Sequence, residues 1–182
     1  MSRMSFLRTT FFAIAFASIA GLARGQSTEP DPGWWALSDG NGPLPGAVFH
    51  SMTLDSTDTI KDESGREDVT PQLSFHCASG NSDVTVRIDW RRFISSFNTD
   101  IGFKVDGGRT LWQKWGVDQS NTVTTSRNDA DASALIDYIG SGQVLAVDIT
   151  PYAGSPIVVQ FDLAGFAIAL DALRAKCGAN DL

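Results

Sequence analysis

Apolar and polar residues alternate along much of this chain, and the clearest alternation covers residues 83–92. One side of this segment is apolar and the other is polar, as in a half-buried β-strand. Residues 71–77 show the same two-residue period, and a short loop with Gly80 and Asn81 separates the two segments. Together they predict an antiparallel hairpin with one buried and one solvated face. The apolar residues of the second strand are Val84, Val86, Ile88 and Trp90.

The same period predicts strands at 47–54, 101–106, 110–115, 143–150 and 157–161, and a further edge strand at 122–126. The tight turn at 106–109 joins two of them into a second hairpin. Residues 55–68 are polar and mostly acidic and have no apolar period, which predicts a solvated, mobile loop.

Apolar residues recur at helical spacing in two segments of the chain. Residues 134–139 form a short apolar stripe, with Asp129 or Asp131 as the predicted N-cap. The last helix is predicted to begin at Asp162, whose carboxylate would accept backbone N–H bonds as N-cap. Its apolar stripe is Leu163, Phe166, Leu170, Leu173 and Cys177. The predicted fold is mainly β (α+β), an antiparallel two-layer sheet or sandwich closed by this C-terminal α-helix.

The first 25 residues have the pattern of a secretory signal peptide. Arg3 and Arg8 precede a short apolar run, and Ala23 and Gly25 stand where a signal peptidase reads small residues, so cleavage is expected before Gln26. The alternative is a membrane anchor, but a spanning helix needs about 20 apolar residues. Residues 26–45 are interpreted as a lead-in segment anchored by two tryptophans, and 46–182 as one domain. After cleavage, no stable membrane span is expected.

The acidic charge balance of the chain argues against a nucleic-acid partner. The chain has 14 basic and 21 acidic residues, and the three arginines of the signal peptide leave 11 basic residues in the mature protein. Nucleic-acid binding depends on a basic surface, so we expect no nucleic-acid partner.

Cys77 and Cys177 are the two cysteines. In an exported protein such a pair indicates one disulfide, and both residues end apolar elements. Two separate buried thiols are the alternative.

Catalytic and metal-binding patterns are weak in this sequence. His76 shares a strand face with Ser74, but no Gly-x-Ser-x-Gly elbow is present, and His76 and Cys77 point to opposite faces. No cluster has zinc-ligand spacing, and the acidic segments 55–68 and 128–131 do not match a calcium loop. We therefore predict no catalytic residues, no metal and no cofactor.

The candidate interaction surface consists of a charged outer stripe and two tryptophans. The stripe can be simply a solvated face with cross-strand pairs, or a docking surface. The two tryptophans are an odd number of residues apart in one predicted strand, so their side chains point to opposite faces. This predicts that one packs inward and the other is exposed. The residues of this candidate surface are Arg87, Asp89, Arg91, Trp112 and Trp115.

An ordered set of segments resembles the TagO/VasI family of accessory proteins associated with bacterial type VI secretion. The family's usual arginine in the second hairpin is replaced by Lys104. The matching segments are 71–77, 84–90, 103–106 with Trp112 and Trp115, and 161–166 with Cys177.

The resemblance implies an exported, non-catalytic accessory protein in the periplasm, with envelope or secretion-apparatus proteins as partners. Two alternatives stay open. One is a small secreted enzyme or effector that acts on the cell wall, and the other is a sugar- or peptide-binding module that uses an exposed tryptophan.

Overall fold

The computed structural model describes residues 34–41 and 48–178 of the chain. The predicted signal peptide and part of the predicted lead-in segment lie outside these residues. The described part contains eleven strands and two helices. The strands are β1 (Ala36–Asn41), β2 (Val48–Asp55), β3 (Ile60–Lys61), β4 (Asp68–Val69), β5 (Gln72–Ala78), β6 (Thr85–Asp89), β7 (Thr99–Val105), β8 (Leu111–Val117), β9 (Val123–Thr125), β10 (Val144–Ile149) and β11 (Ile157–Asp162). The helices are α1 (Asp129–Ile139) and α2 (Phe166–Gly178).

Nine of the strands form one continuous antiparallel sheet in the order β1-β2-β5-β6-β9-β8-β7-β10-β11. Strands β3 and β4 form a separate small hairpin. The predicted mainly β architecture with a C-terminal helix is therefore confirmed. Both predicted hairpins, β5–β6 and β7–β8, are present.

The sheet curls back so that its last strand meets the loop after β2. The backbone N–H of Thr57 donates to the carbonyl of Gln160 in β11 at 2.8 Å, and the N–H of Gln160 donates to Asp58 Oδ2 at 2.9 Å. These bonds satisfy edge groups of β11 that would otherwise be free to pair with another chain.

The core lies between the inner face of this curled sheet and the two helices. Helix α2 packs against β2 and β5, and α1 packs against β6, β7 and β8. The largest fully buried side chains come from both halves of the sheet and from α1, which places one core inside the fold. They include Trp90, Trp115, Phe75, Phe103, Phe161 and Met52.

The disulfide between Cys77 and Cys177 is present and joins β5 to the last turn of α2. Both cysteines are buried. Their Cα atoms lie 5.8 Å apart, and the closed loop spans 100 residues. The N–H of Gly80 also donates to the carbonyl of Cys177 at 2.8 Å, so the helix end is held by a hydrogen bond beside the cross-link.

The N-terminal tryptophans differ in role. Trp35 is buried, and its ring lies 5.8 Å from that of Phe75 and 5.6 Å from that of Phe166. Trp34 is exposed. The predicted anchor is therefore Trp35 alone. Strand β1, which follows it, was not predicted, because Asp39, Gly40 and Asn41 are turn-forming residues.

Several local predictions are wrong. Strand β9 is not at an edge but lies between β6 and β8, where Thr124 accepts a hydrogen bond from the indole of buried Trp90 at 3.0 Å. The acidic segment 55–68 contains β3 and is bonded to β11, so it is not an unstructured loop. In this segment Asp62 Oδ1 accepts the backbone N–H of Arg66 at 2.9 Å.

The helix caps also differ from the prediction. Helix α1 is capped by Asn128, whose side chain accepts the N–H of Asp131 at 2.8 Å. Helix α2 begins at Phe166, four residues after the predicted cap. Asp162 ends β11, and its carboxylate accepts the N–H of Ala164 at 3.0 Å, which stabilises the turn before the helix.

Candidate functional site

The charged stripe, defined as Arg87, Asp89 and Arg91, follows the outer side of β6. Arg87 Nη2 lies 3.7 Å from Asp118 Oδ2, and Arg91 Nη2 lies 3.9 Å from Asp55 Oδ1. The side chains of both pairs are partly exposed to solvent. Charge pairs of this kind contribute little to stability, because water screens them and both side chains must be ordered.

The backbone changes direction within the stripe. Strand β6 ends at Asp89, although the sequence predicted a strand as far as residue 92. Asp89 Oδ1 accepts the N–H of Arg91 at 2.9 Å, and Arg91 has a φ of 55°, in the left-handed region. A non-glycine residue is uncommon there. This turn presents Arg91 beyond the end of the strand, toward Asp55 of β2.

The two tryptophans of β8 point to opposite faces of the sheet, as their parity predicted. Trp115 is fully buried, its ring lies 5.2 Å from that of Phe103, and its Nε1 donates to Gln113 Oε1 at 2.8 Å. Trp115 therefore belongs to the core, and including it in the candidate interaction surface was wrong. Trp112 is 59% exposed and stays on the outer surface.

His76 lies on the outer face of β5, beside the charged stripe. Its Nε2 is 2.8 Å from Ser74 Oγ, and it lines a cavity of about 480 Å³ together with Thr85, Arg87 and Asp129. Burial and, as the smaller cause, the positive charge of Arg87 together lower the pKa of His76 from 6.5 to about 4. His76 is therefore uncharged near neutral pH.

A second polar cluster, the Asp39 cluster, joins β1 to the end of α2. Asp39 Oδ1 lies 2.9 Å from His50 Nδ1, and His50 Nε2 lies 2.8 Å from Ser79 Oγ. Lys176 Nζ donates to both carboxylate oxygens of Asp39, at 2.8 and 2.9 Å. This cluster was not predicted from the sequence, because its members are far apart in the chain and Asp39 was assigned to a turn.

The order Ser79–His50–Asp39 is that of a nucleophile, a base and an orienting carboxylate. Acyl transfer also needs free N–H donors for the developing oxyanion. The N–H groups of Ser79 and Gly80 are already occupied, because they donate to the carbonyls of Val48 and Cys177 at 3.0 and 2.8 Å. The cluster is therefore better explained as a structural clamp, which holds β1 against the end of α2, than as an active site.

Replacing Asp39 with Asn should loosen this clamp. Hydrogen bonds to Lys176, and then to His50, lower the pKa of Asp39 below 3.8. The clamp therefore contributes at pH values above 3.8 and is lost as the pH falls through the lowered pKa. We expect amide hydrogen exchange in β1 and in the last turn of α2 to become about two- to fivefold faster at neutral pH.

The matched control for this exchange experiment is Asp171→Asn, which changes an exposed carboxylate of α2 outside the cluster. Equal acceleration in both variants, or acceleration in β10 as large as in β1, would contradict the clamp.

The described residues contain neither a metal-binding group nor a membrane-spanning helix. Residues 34–41 and 48–178 include no group of three His, Cys, Asp or Glu side chains placed to hold a metal ion. None of the helices in these ranges is long and apolar enough to cross a membrane.

No family model matches this sequence, and no curated protein matches it. Among solved structures, the chain is similar to the crystal structure of invasion associated protein B from Bartonella henselae. The two are 19% identical, the TM-score is 0.47, and the likeness covers 79% of this chain and 92% of the other.

Proposed function

We propose that this protein is an exported, non-catalytic accessory protein that binds another envelope protein through the charged stripe, in the context of type VI secretion. The export signal in residues 1–25 and the Cys77–Cys177 disulfide support a location outside the cytoplasm, because disulfides persist in oxidising compartments. The type VI context rests on the resemblance of the sequence to the TagO/VasI family.

The observation that carries the proposal is the loose pairing of the stripe. The long N–O distances of 3.7 and 3.9 Å leave Arg87 and Arg91 free to exchange their present partners for carboxylates on another protein. Arginine suits this role because its guanidinium forms planar, bidentate contacts with carboxylates. Complementary charge also directs the approach of a partner and fixes its orientation.

The backbone of the stripe is held within the sheet, which favours specific binding. Asp89 is paired across the sheet with Gln72 of β5 and Val123 of β9, so the stripe is held on the middle of the sheet and not on a free edge. Its neighbour His76 is neutral and adds no competing charge. A partner therefore meets two arginines and one carboxylate on a backbone that is already ordered, and the side chains of the arginines become ordered on binding.

Affinity capture with charge-reversed variants tests the proposal. The mature protein, immobilised by its C-terminus, should retain at least one protein from an envelope extract of its own species. The double variant Arg87→Glu/Arg91→Glu should reduce that recovery at least about tenfold, because like charges then face the partner's carboxylates.

The matched control for this capture is Arg174→Glu, which reverses an exposed arginine on α2. Its recovery should equal that of the wild type. A partner that binds the double variant as well as it binds the wild type would contradict the assignment of the stripe.

A further inference from the structure

A second outer surface lies on the other half of the sheet, around Trp112. Trp112 of β8 is in register with Gly102 of β7, Gly102 with Asp148 of β10, and Asp148 with Val158 of β11. Residues directly opposite each other in neighbouring strands point to the same face. These four positions therefore form one row across the outer face, on strands other than β6, which carries the charged stripe.

The six-membered ring of the Trp112 indole covers part of this row. A Cβ atom at position 102 would be 3.0 Å from both Cζ3 and Cη2 of Trp112, so the six-membered ring covers the backbone of Gly102. Gly102 is buried for this reason, although it faces outward. One side of the indole therefore contacts the sheet at Gly102, while Trp112 as a whole stays 59% exposed to solvent.

Polar groups flank the exposed part of the indole. Asp148 lies on the neighbouring strand, about 5 Å from Gly102 along the row. Among the described residues, no basic side chain lies within 4.0 Å of its carboxylate. Lys104 is exposed on the same face, two residues beyond Gly102 in β7.

We call the row formed by Trp112, Gly102, Asp148 and Val158 the platform. It continues into a shallow cavity of about 490 Å³ at the start of β8. Arg109, Leu111 and Tyr138 line it together with Trp112. The hydroxyl of Tyr138 donates to the carbonyl of Arg109 and accepts the N–H of Val105, so this wall is fixed by hydrogen bonds.

We propose that this platform binds an uncharged, β-linked pyranose chain. A pyranose with equatorial bonds presents a flat face of C–H groups, which can cover the exposed part of the indole, and a rim of hydroxyl groups. The Asp148 carboxylate accepts hydrogen bonds from adjacent hydroxyls, and Lys104 and Arg109 donate to ring or hydroxyl oxygens. A few polar groups around an apolar surface are the usual composition of a small-ligand site.

An apolar protein partner fits this surface less well. Covering the row with apolar side chains would remove Asp148 from water without a partner, and burying an unpaired charge is costly. Stacking of a nucleobase also fits poorly, because the sequence carries a net charge of −7 and lacks the basic surface that nucleic acid requires.

Titration of the mature protein with chitohexaose and cellohexaose, followed by calorimetry and by amide NMR shifts, tests the site. At least one of the two should bind with a Kd of about 0.1–1 mM, and the shifts should centre on Trp112 and Asp148. Trp112→Ala should weaken binding at least about tenfold. Asp148→Asn, which leaves the indole in place, should weaken it about three- to tenfold.

Trp34→Ala is the control, since Trp34 is 76% exposed and lies outside the platform. It should leave the affinity unchanged. The proposal is overturned if neither oligosaccharide binds at a concentration about tenfold above the upper Kd. It is also overturned if Asp148→Asn binds the sugar as tightly as the wild type, or if Trp34→Ala loses as much affinity as Trp112→Ala. If an extended peptide shifts these same amide signals and neither sugar does, the surface binds a protein instead.

Discussion

Replacing both cysteines with alanine should lower the free energy of unfolding by about 4–5 kcal/mol. The cross-link closes a loop of 100 residues, so its removal gives the unfolded chain much more conformational freedom. Both sulfur atoms are buried, so part of the loss comes from apolar packing between β5 and α2. Urea unfolding of the oxidised protein and of the Cys77→Ala/Cys177→Ala variant measures the difference.

The wild type in a reducing buffer separates the two causes, because it keeps both sulfur atoms and loses only the cross-link. Its stability should fall nearly as far as that of the double variant. A loss below about 1 kcal/mol in both samples would mean that α2 is held by its apolar stripe alone.

Acidification from pH 6.5 to about 4 should remove about 2–3 kcal/mol of stability through His76 alone. The pKa of His76 is lowered in the folded protein by burial and by Arg87, whereas the unfolded chain titrates near 6.5. At pH values between these two pKa values, the unfolded state binds more protons than the folded state. The contribution of this site is therefore fully present above pH 6.5 and declines as the pH falls toward 4.

The variant His76→Gln isolates this contribution, because glutamine can keep a hydrogen bond to Ser74 and does not titrate. Urea unfolding of the two proteins at several pH values between 6.5 and 4 should give curves that converge as the pH falls. Parallel curves over this range would show that His76 is not the acid-sensitive group.

Much of the fold could be predicted from the period of apolar residues. Strands β2, β5, β6, β7, β8, β10 and β11 follow from two-residue alternation, because each buries one face against the core. Strand β1 could not be found in this way: all of its residues are exposed, and it forms because its backbone pairs with β2. The position of β9 inside the sheet depends on Trp90 and Thr124, which are far apart in the sequence.

The candidate sites also differ in how far the sequence predicts them. Alternation within one strand predicts that one of Trp112 and Trp115 is buried and the other exposed, but it does not say which of the two faces inward. The Asp39 cluster needs contacts among residues up to 137 positions apart, which no local pattern encodes. The platform around Trp112 likewise depends on the register of four strands, which places Gly102 beneath the indole.

The most direct test of the proposed function is photo-crosslinking in living cells, with a photoreactive amino acid placed at Asp89 and, as the control, at Asp171 on α2. The charged stripe predicts that a probe at position 89 is cross-linked to one defined envelope protein, and that a probe at position 171 is not. Arg87→Glu/Arg91→Glu in the same chain should abolish the cross-link. The same partner captured equally from both positions, or a cross-link at position 89 that survives the charge reversal, would contradict the stripe as the binding surface.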